Sequence, residues 1–257
     1  MDGGASHERA PDRRAQPAGP DPVRFSHPPD RRRLHPGGRA VASGRGHAGR
    51  RMTAPGPGGR DAAGRRRAVF ADRDGTIIED HQYVADPADV TLLPGAIEAL
   101  QRLRALGFAL VTVTNQSGIG RGYYTLGDYR RVAAEVDRQL LAAGVVMDGT
   151  YFCPDAPGGD PETTCRKPST IMHERAASDL GLATTGSYFV GDKRSDVLPA
   201  RVLGGTGILV RTGHGAVEQA SLGPEFRVTD DLLSAAGLVE RMEAESGGGH
   251  GGLGAGR

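Results

Sequence analysis

The chain has 257 residues, with 32 Lys+Arg against 31 Asp+Glu and only two cysteines. This length allows one or two domains, and two cysteines are too few for a secreted disulfide scaffold. No stretch has the length and apolar content of a transmembrane helix, so a soluble cytoplasmic protein is expected.

The balanced charge hides an asymmetry. Residues 1–67 carry 15 Arg, no Lys and 6 Asp/Glu, a local charge of +9, which leaves −8 on the remainder. The Arg-, Gly- and Pro-rich run "RRRLHPGGRAVASGRGHAGRR" has no apolar periodicity and cannot bury enough surface to offset the entropy of ordering it. Residues 1–67 are therefore expected to be a disordered tail. An Arg-rich arm can bind nucleic acid, but a translated leader ahead of a start at Met52 is the favoured reading. The Gly-rich residues 243–257 read as a flexible tail, which leaves 68–242 as one domain with a core of its own.

In chain order, "RAVFAD" is a short apolar strand. "PGAIEALQRLRALG" follows, with Ile97, Leu100, Leu103 and Leu106 on one helical face and Gly107 placed to end it. "FALVTVTN" is a β-branched strand, "QSGIGRGYYT" a loop, and a helix is expected over about 126–143. "DGTYFCP" is strand-like and "PSTIMHERAASDLGL" helical after its proline. "SYFVGD" is a strand, "SDVLPARVLG" a short helix that Pro199 bends or breaks, and "TGILVR" a strand. Five strand–helix alternations predict a three-layer, Rossmann-like α/β sandwich with a mainly parallel sheet.

Functional groups in such folds gather at the carboxyl ends of the strands. Asp72, Thr114 and Asp192 fall there. In "FADRDGT", Asp72 and Asp74 lie two apart and share a side if the strand continues. Two such carboxylates can divide labour as nucleophile and proton carrier, with a hard cation offsetting their repulsion. Alone, D-x-D-G also describes two solvated loop aspartates before a turn glycine. The hydroxyl of Thr114, the loop backbone over Asn115, Gln116 and Ser117 as a phosphate cradle, and Asp192 with Lys193 give the pair its context. The chain uses 30 Arg and 2 Lys, and both lysines, Lys167 and Lys193, sit in candidate site loops. An ammonium is a compact partner for a phosphoryl oxygen.

"FADRDGT", "VTNQSGIGRG", "CRKP" and "VGDKRSD" match, in order and spacing, the motifs of the haloacid dehalogenase superfamily of phosphatases. The resemblance covers about residues 68–213. Within the superfamily, "EDHQYV", "TNQSGIGRG" and the C…C-R-K-P loop resemble those of the D-glycero-D-manno-heptose 1,7-bisphosphate 7-phosphatases and their near relatives, the histidinol-phosphatases.

The resemblance implies an aspartyl-phosphate on Asp72, with Asp74 as acid and base. It implies Mg²⁺ held by Asp72, the Asp74 carbonyl and Asp192, and phosphate oxygens gripped by Thr114 and Lys167. The short intervals Asp74–Thr114 and Thr114–Lys167 leave no room for a cap domain, so a capless, open site is expected. Specificity would come from Asp80, His81, Gln82 and Tyr83 on one side and Arg166 on the other, with Asp196 in a supporting role. The expected substrate is a small sugar phosphate, with the 7-phosphate of the heptose bisphosphate first and histidinol phosphate as the alternative. Nucleic-acid 3′-end processing is disfavoured by the acidic body, and no membrane partner and a monomeric state are expected.

In that family the loop before R-K-P often binds Zn²⁺ through C-x-H…C-x-C. The matching positions here are Cys153, Asp155, Thr163 and Cys165. With two of the four ligands replaced, only a weak Zn²⁺ site from Cys153, Asp155 and Cys165 could form. A degenerate loop is expected instead, and no stable disulfide in a reducing compartment.

Overall fold

The computed structural model describes residues 24–25, 59–160 and 163–248. Its sheet has seven strands in the order β1-β4-β3-β2-β5-β6-β7. These are β1 Arg24–Phe25, β2 Arg66–Ala71, β3 Ala109–Asn115, β4 Gly149–Cys153, β5 Leu182–Gly191, β6 Thr206–Val210 and β7 Arg227–Thr229. β1 pairs antiparallel with β4, and every other pairing is parallel. The helices are α1 Ala96–Ala105, α2 Ser117–Gly120, α3 Leu126–Ala142, α4 Ile171–Leu180, α5 Arg194–Val197, α6 Pro199–Leu203, α7 Gly215–Glu218 and α8 Leu232–Gly248. The mainly parallel α/β sandwich is as expected.

Strand alternation builds the two sides of the core. Val69 and Ala71 of β2 join α1, α3 and α8 on one face, while Ala68 and Phe70 join α4 and α6 on the other. Because both faces are covered, the central strands are buried throughout and read as continuous apolar runs. Between β2 and β5 the register shifts, and Ser187 Oγ fills the gap by accepting from the Ala68 N–H at 2.9 Å.

Both ends of the expected domain need correcting. Arg66 and Arg67 lie in β2, although composition assigned them to a tail. Arg66 spans the carbonyls of Gly107 and Phe108 and the carboxylate of Asp148. Arg67 pairs with Glu243, which also accepts from the Tyr188 hydroxyl at 2.7 Å. Glu243 lies on α8, which continues to Gly248 through the segment expected to be a flexible tail. Two residues placed in opposite tails thus hold each other across the back of the fold. The rest of residues 1–67 lies outside the described residues, apart from β1 and the stretch from 59.

Elsewhere the local signals hold. Gly107 follows α1 with φ of 96°, and Pro199 divides the expected short helix into α5 and α6. Thr125 and Asp128 form a reciprocal capping box at the start of α3. The loop expected at 116–125 contains α2, and β7, α7 and α8 had no sequence-based expectation.

Candidate active site

Asp72 follows β2, with its N–H bonded to Val190 O of β5 at 2.9 Å, so its position is set by the sheet. The side chain is buried, and Lys167 Nζ reaches it at 2.8 Å from Oδ1. The same ammonium meets Asp196 Oδ1 at 2.8 Å and donates to Val113 O at 2.5 Å. Lys167 is delivered by a loop that Asn115 clamps: Asn115 Oδ1 accepts from Lys167 N at 2.9 Å, and Nδ2 donates to Lys167 O at 3.2 Å. Asn115, expected to touch substrate, is spent on that loop.

Asp192 directly follows β5 and has no solvent exposure. Its Oδ2 accepts from His214 N at 2.8 Å, while Oδ1 has no partner among the described residues. Gly75 and Gly213 close around it. A Cβ on either would lie 2.5 Å and 2.2 Å from Asp192 Oδ2, and both backbones have positive φ, so only glycine fits. Carboxylate oxygens of Asp72, Asp192 and Asp196 lie within 4.8 Å of one another. Burial, then the like charges of Asp72 and Asp196, push Asp192 up to about 8. Burial also pushes Asp72 up to about 6, against the pull of Lys167. Burial works against a charged Lys167, but Asp196 and Asp72 outweigh it and raise its pKa. Three buried carboxylates share one buried ammonium and the more exposed Lys193, which lies 3.6 Å from Asp192. That deficit of positive charge, the unpartnered Asp192 oxygen and the all-oxygen donor set fit a hard divalent cation.

Asp74 has turned toward other partners. Arg73 Nε and Nη2 reach both of its carboxylate oxygens at 2.9–3.2 Å, and Gln116 Nε2 donates to Oδ2 at 2.8 Å. Thr114 is buried at the end of β3, with its Oγ1 3.5 Å from Asp74 Oδ2 and accepting from Gln116 Nε2 at 2.8 Å. Gln116 Oε1 accepts from Arg73 and from Tyr124 OH, and the Gln116 N–H goes to Cys153 O at 2.7 Å. The side chains of Asn115 and Gln116 and the Gln116 N–H are therefore engaged inside the protein.

The rim is looser. A cleft of about 400 Å³ above Asp72 is lined by Asp80, Gln82, Tyr83, Ser117, Arg166, Lys193 and His214, among others. Asp80 pairs with Lys193 at 3.2 Å and His214 at 3.3 Å. Gln82 and Tyr83 both take positive φ, 54° and 61°, and Tyr83 meets the Tyr123 ring edge-on. Burial and the nearby Arg121 pull Arg166 below the usual arginine range, and its Nη1 has no partner among the described residues. His81 is not in the cleft. It is half-exposed and pairs with Glu79 at 3.1 Å. Among the described residues no cap domain covers the site.

Sequence reasoning missed Arg73 and His214 and gave Asp196 too little weight. Asp196 does cap α5, accepting from Lys193 N at 2.9 Å, but it also holds Lys167. The signal for His214 was "TGHG", a glycine-flanked loop directly after a strand end.

The cysteine loop differs most from expectation. Cys153 and Cys165 are joined in a disulfide with a Cα–Cα distance of 5.5 Å. The end of β4 and the residue before Arg166 meet because the intervening loop folds back, with Asp155 Oδ2 accepting from Thr164 Oγ1 at 2.8 Å. Bonded to each other, the two sulfurs are not the thiolates a Zn²⁺ site needs. A larger hollow of about 620 Å³ beside this loop is mostly apolar and holds none of the carboxylate cluster.

A HAD-hydrolase-like family model matches residues 164–235. The D-glycero-β-D-manno-heptose-1,7-bisphosphate 7-phosphatase of Haemophilus ducreyi is 44% identical over 154 residues, which is 58% of this chain and 85% of that protein. Its Escherichia coli K12 counterpart is 41% identical over 159 residues, covering 60% of this chain and 83% of that protein. The chain belongs to this phosphatase family of haloacid dehalogenase-like hydrolases. The structure of the Bordetella bronchiseptica D,D-heptose 1,7-bisphosphate phosphatase, complexed with magnesium and phosphate, superposes with a TM-score of 0.63 at 31% identity. It covers 68% of this chain and 99% of that one. A HAD-like phosphatase of Mesorhizobium loti gives 0.59 at 33%, covering 69% and 86%. Among the described residues, no helix is long and apolar enough to cross a membrane.

Proposed function

We propose that the chain hydrolyses the 7-phosphate of D-glycero-β-D-manno-heptose 1,7-bisphosphate, with the β anomer suggested by the names of its relatives. The observation that carries the reading is Asp72. It is a buried carboxylate at a strand end, with Oδ1 fixed by Lys167, facing an open cleft of about 400 Å³. Asp72 attacks phosphorus, the new O–P bond forms, and the bond from phosphorus to the sugar oxygen breaks. Asp74 gives its proton to the departing sugar oxygen, then takes one from the water that opens the aspartyl-phosphate. Lys167 and the Thr114 hydroxyl hold equatorial oxygens, and the fixed geometry of Lys167 means little reorganises as charge moves. Mg²⁺ would be held by Asp72, Asp192 and the Asp74 carbonyl, and when bound it neutralises phosphoryl charge.

Asp80, Gln82, Tyr83, Ser117, Arg166 and Lys193 contact the sugar and its other phosphate in this reading, and the enzyme works as a cytoplasmic monomer. The test is phosphate release from both anomers of the heptose bisphosphate, histidinol phosphate, fructose 1,6-bisphosphate and 3′-phosphorylated DNA, each with Mg²⁺. The β-heptose bisphosphate should give the highest kcat/KM, and a preference for any other substrate overturns the assignment. We also infer that the Arg-rich segment takes no part, so truncation to start at Met52 should leave kcat/KM unchanged.

A further inference from the structure

In the mechanism above Asp74 must move a proton, yet its two oxygens are both taken by donors. The donors form a buried, closed set. Arg73 is 3% exposed, and its guanidinium lies over the Tyr129 ring at 5.4 Å from the centroid. It forks onto Asp74 and donates to Gln116 Oε1 at 3.1 Å. Gln116, also 3% exposed, has every side-chain site in use. Its amide donates to Asp74 and Thr114, and its carbonyl accepts from Arg73 and from Tyr124 OH at 2.7 Å. Tyr124 is fixed in turn, because Gly118 lies so close beneath its ring that a Cβ there would be 2.1 Å from it. Apart from Arg73 Nη1, which has no partner among the described residues, the polar atoms of these side chains are paired, and a network this deeply buried favours one arrangement.

We propose that Arg73, braced by Gln116 and Tyr124, is the positioning residue for Asp74. It fixes the carboxylate beside Thr114 and serves proton transfer at the leaving oxygen, while taking no part in the attack of Asp72. This rests on Asp74 being the acid in the reading above. The division of labour is legible in the geometry. Among the described residues, Asp72, Lys167, Asp196 and Val113 share no hydrogen bond with the side chains of Arg73, Asp74, Gln116 and Thr114, and the two sets join through the main chain, at Asp72–Arg73 and at Val113–Thr114. Gln116 also orients the hydroxyl of Thr114, since an oxygen already accepting from the amide must point its own proton elsewhere. One amide therefore aligns a phosphate grip and a proton carrier. A lysine at 73 could supply the charge but not the two-pronged contact.

The consequence is a dependence on the leaving group. An aryl oxide such as p-nitrophenolate departs without a proton, whereas a sugar alkoxide needs one. The parameter kcat/KM reports events up to loss of the leaving group, so it omits the later hydrolysis of the aspartyl-phosphate. The experiment measures kcat/KM for p-nitrophenyl phosphate and for a primary sugar phosphate, with Mg²⁺, in the wild type and in Arg73→Met, Arg73→Lys, Gln116→Leu and Tyr124→Phe. Arg73→Met is expected to lose at least about tenfold more on the sugar phosphate than on the aryl ester, within the range typical of general acid catalysis. Arg73→Lys should not restore the ratio, and Tyr124→Phe, which removes one hydroxyl and keeps the ring, should shift it in the same direction by less.

Equal losses on both substrates would make the network a structural support only and overturn the proposal, as would an unchanged ratio. If Arg73→Met does not fold, Tyr124→Phe alone decides by the same ratio. Failure of the wild type on the heptose bisphosphate would instead sink the substrate assignment, and the aryl-to-alkyl ratio would still be readable on any primary phosphate that is turned over.

Discussion

The floor and the rim of the cleft are built by different rules. On the floor, Asp72, Lys167, Asp192 and Asp196 are each at most 6% exposed, and strand ends, α5 or the Asn115 clamp fix their backbones. On the rim, Tyr83 and Tyr123 are 44% and 59% exposed and rest mainly on each other. Charges on the floor are buried and weakly screened, so each depends on its neighbours. Charges on the rim are solvated and can change at small cost. Chemistry shared by a large superfamily belongs on such a floor, and substrate choice on such a rim.

The sharpest way to break the contrast is at Asp72. Asp72→Asn should reduce phosphate release to background while Mg²⁺-free folding persists, and wild-type-like turnover would remove Asp72 as nucleophile. Next is Lys167→Met, which leaves Asp72 and Asp196 facing each other without their shared cation. A loss of about 3–5 kcal/mol in urea unfolding is expected without Mg²⁺, and less with it.

The floor should also respond to pH. Asp192 sits near 8 in the fold against 3.8 for a free carboxylate. The folded state then keeps a proton that the unfolded chain has lost, so metal-free stability falls as pH rises from about 4 to about 8. A cation between the carboxylates offsets this, and the rise in Tm on adding Mg²⁺ should be larger at pH 8 than at pH 5. Asp192→Asn should flatten the metal-free profile and abolish the Mg²⁺ response. An unchanged response would place the cation elsewhere.

The disulfide closes a span of 12 residues. Replacing both Cys153 and Cys165 by Ser should cost about 2–3 kcal/mol in unfolding free energy. The smallest effect is expected at the outer rim. His81→Ala removes a half-exposed contact with Glu79 outside the cleft, and stability should change by less than about 0.5 kcal/mol, with kcat/KM against the sugar phosphate essentially unmoved.

Much of the fold was legible because its signals are local. Apolar runs marked β2, β3 and β6, Gly107 marked the end of α1, and Pro199 marked the break between α5 and α6. β7 was hidden because three residues, none of them buried, carry no period, and Arg66, Arg67 and Glu243 were hidden because composition averages over windows. In the site, Asp72, Thr114 and Asp192 stood out as polar residues at strand ends, Asp74 by its D-x-D spacing, and the scarcity of lysine singled out Lys167 and Lys193. Gln116, Asn115 and His81 were expected to meet substrate. The fold gives Gln116 to Asp74 and Thr114, Asn115 to the Lys167 main chain and His81 to Glu79.

By itself, then, the sequence indicated the strand–helix order from β2 to β6, the family, and the groups proposed to react. Each of these depends on neighbours in the chain or on short motifs at strand ends. Only the tertiary structure decided which polar atoms remain free for chemistry. Arg73 and Gln116 lie 43 residues apart and Asp72 and Lys167 95 apart, and whether a buried donor meets a partner depends on how such distant segments pack.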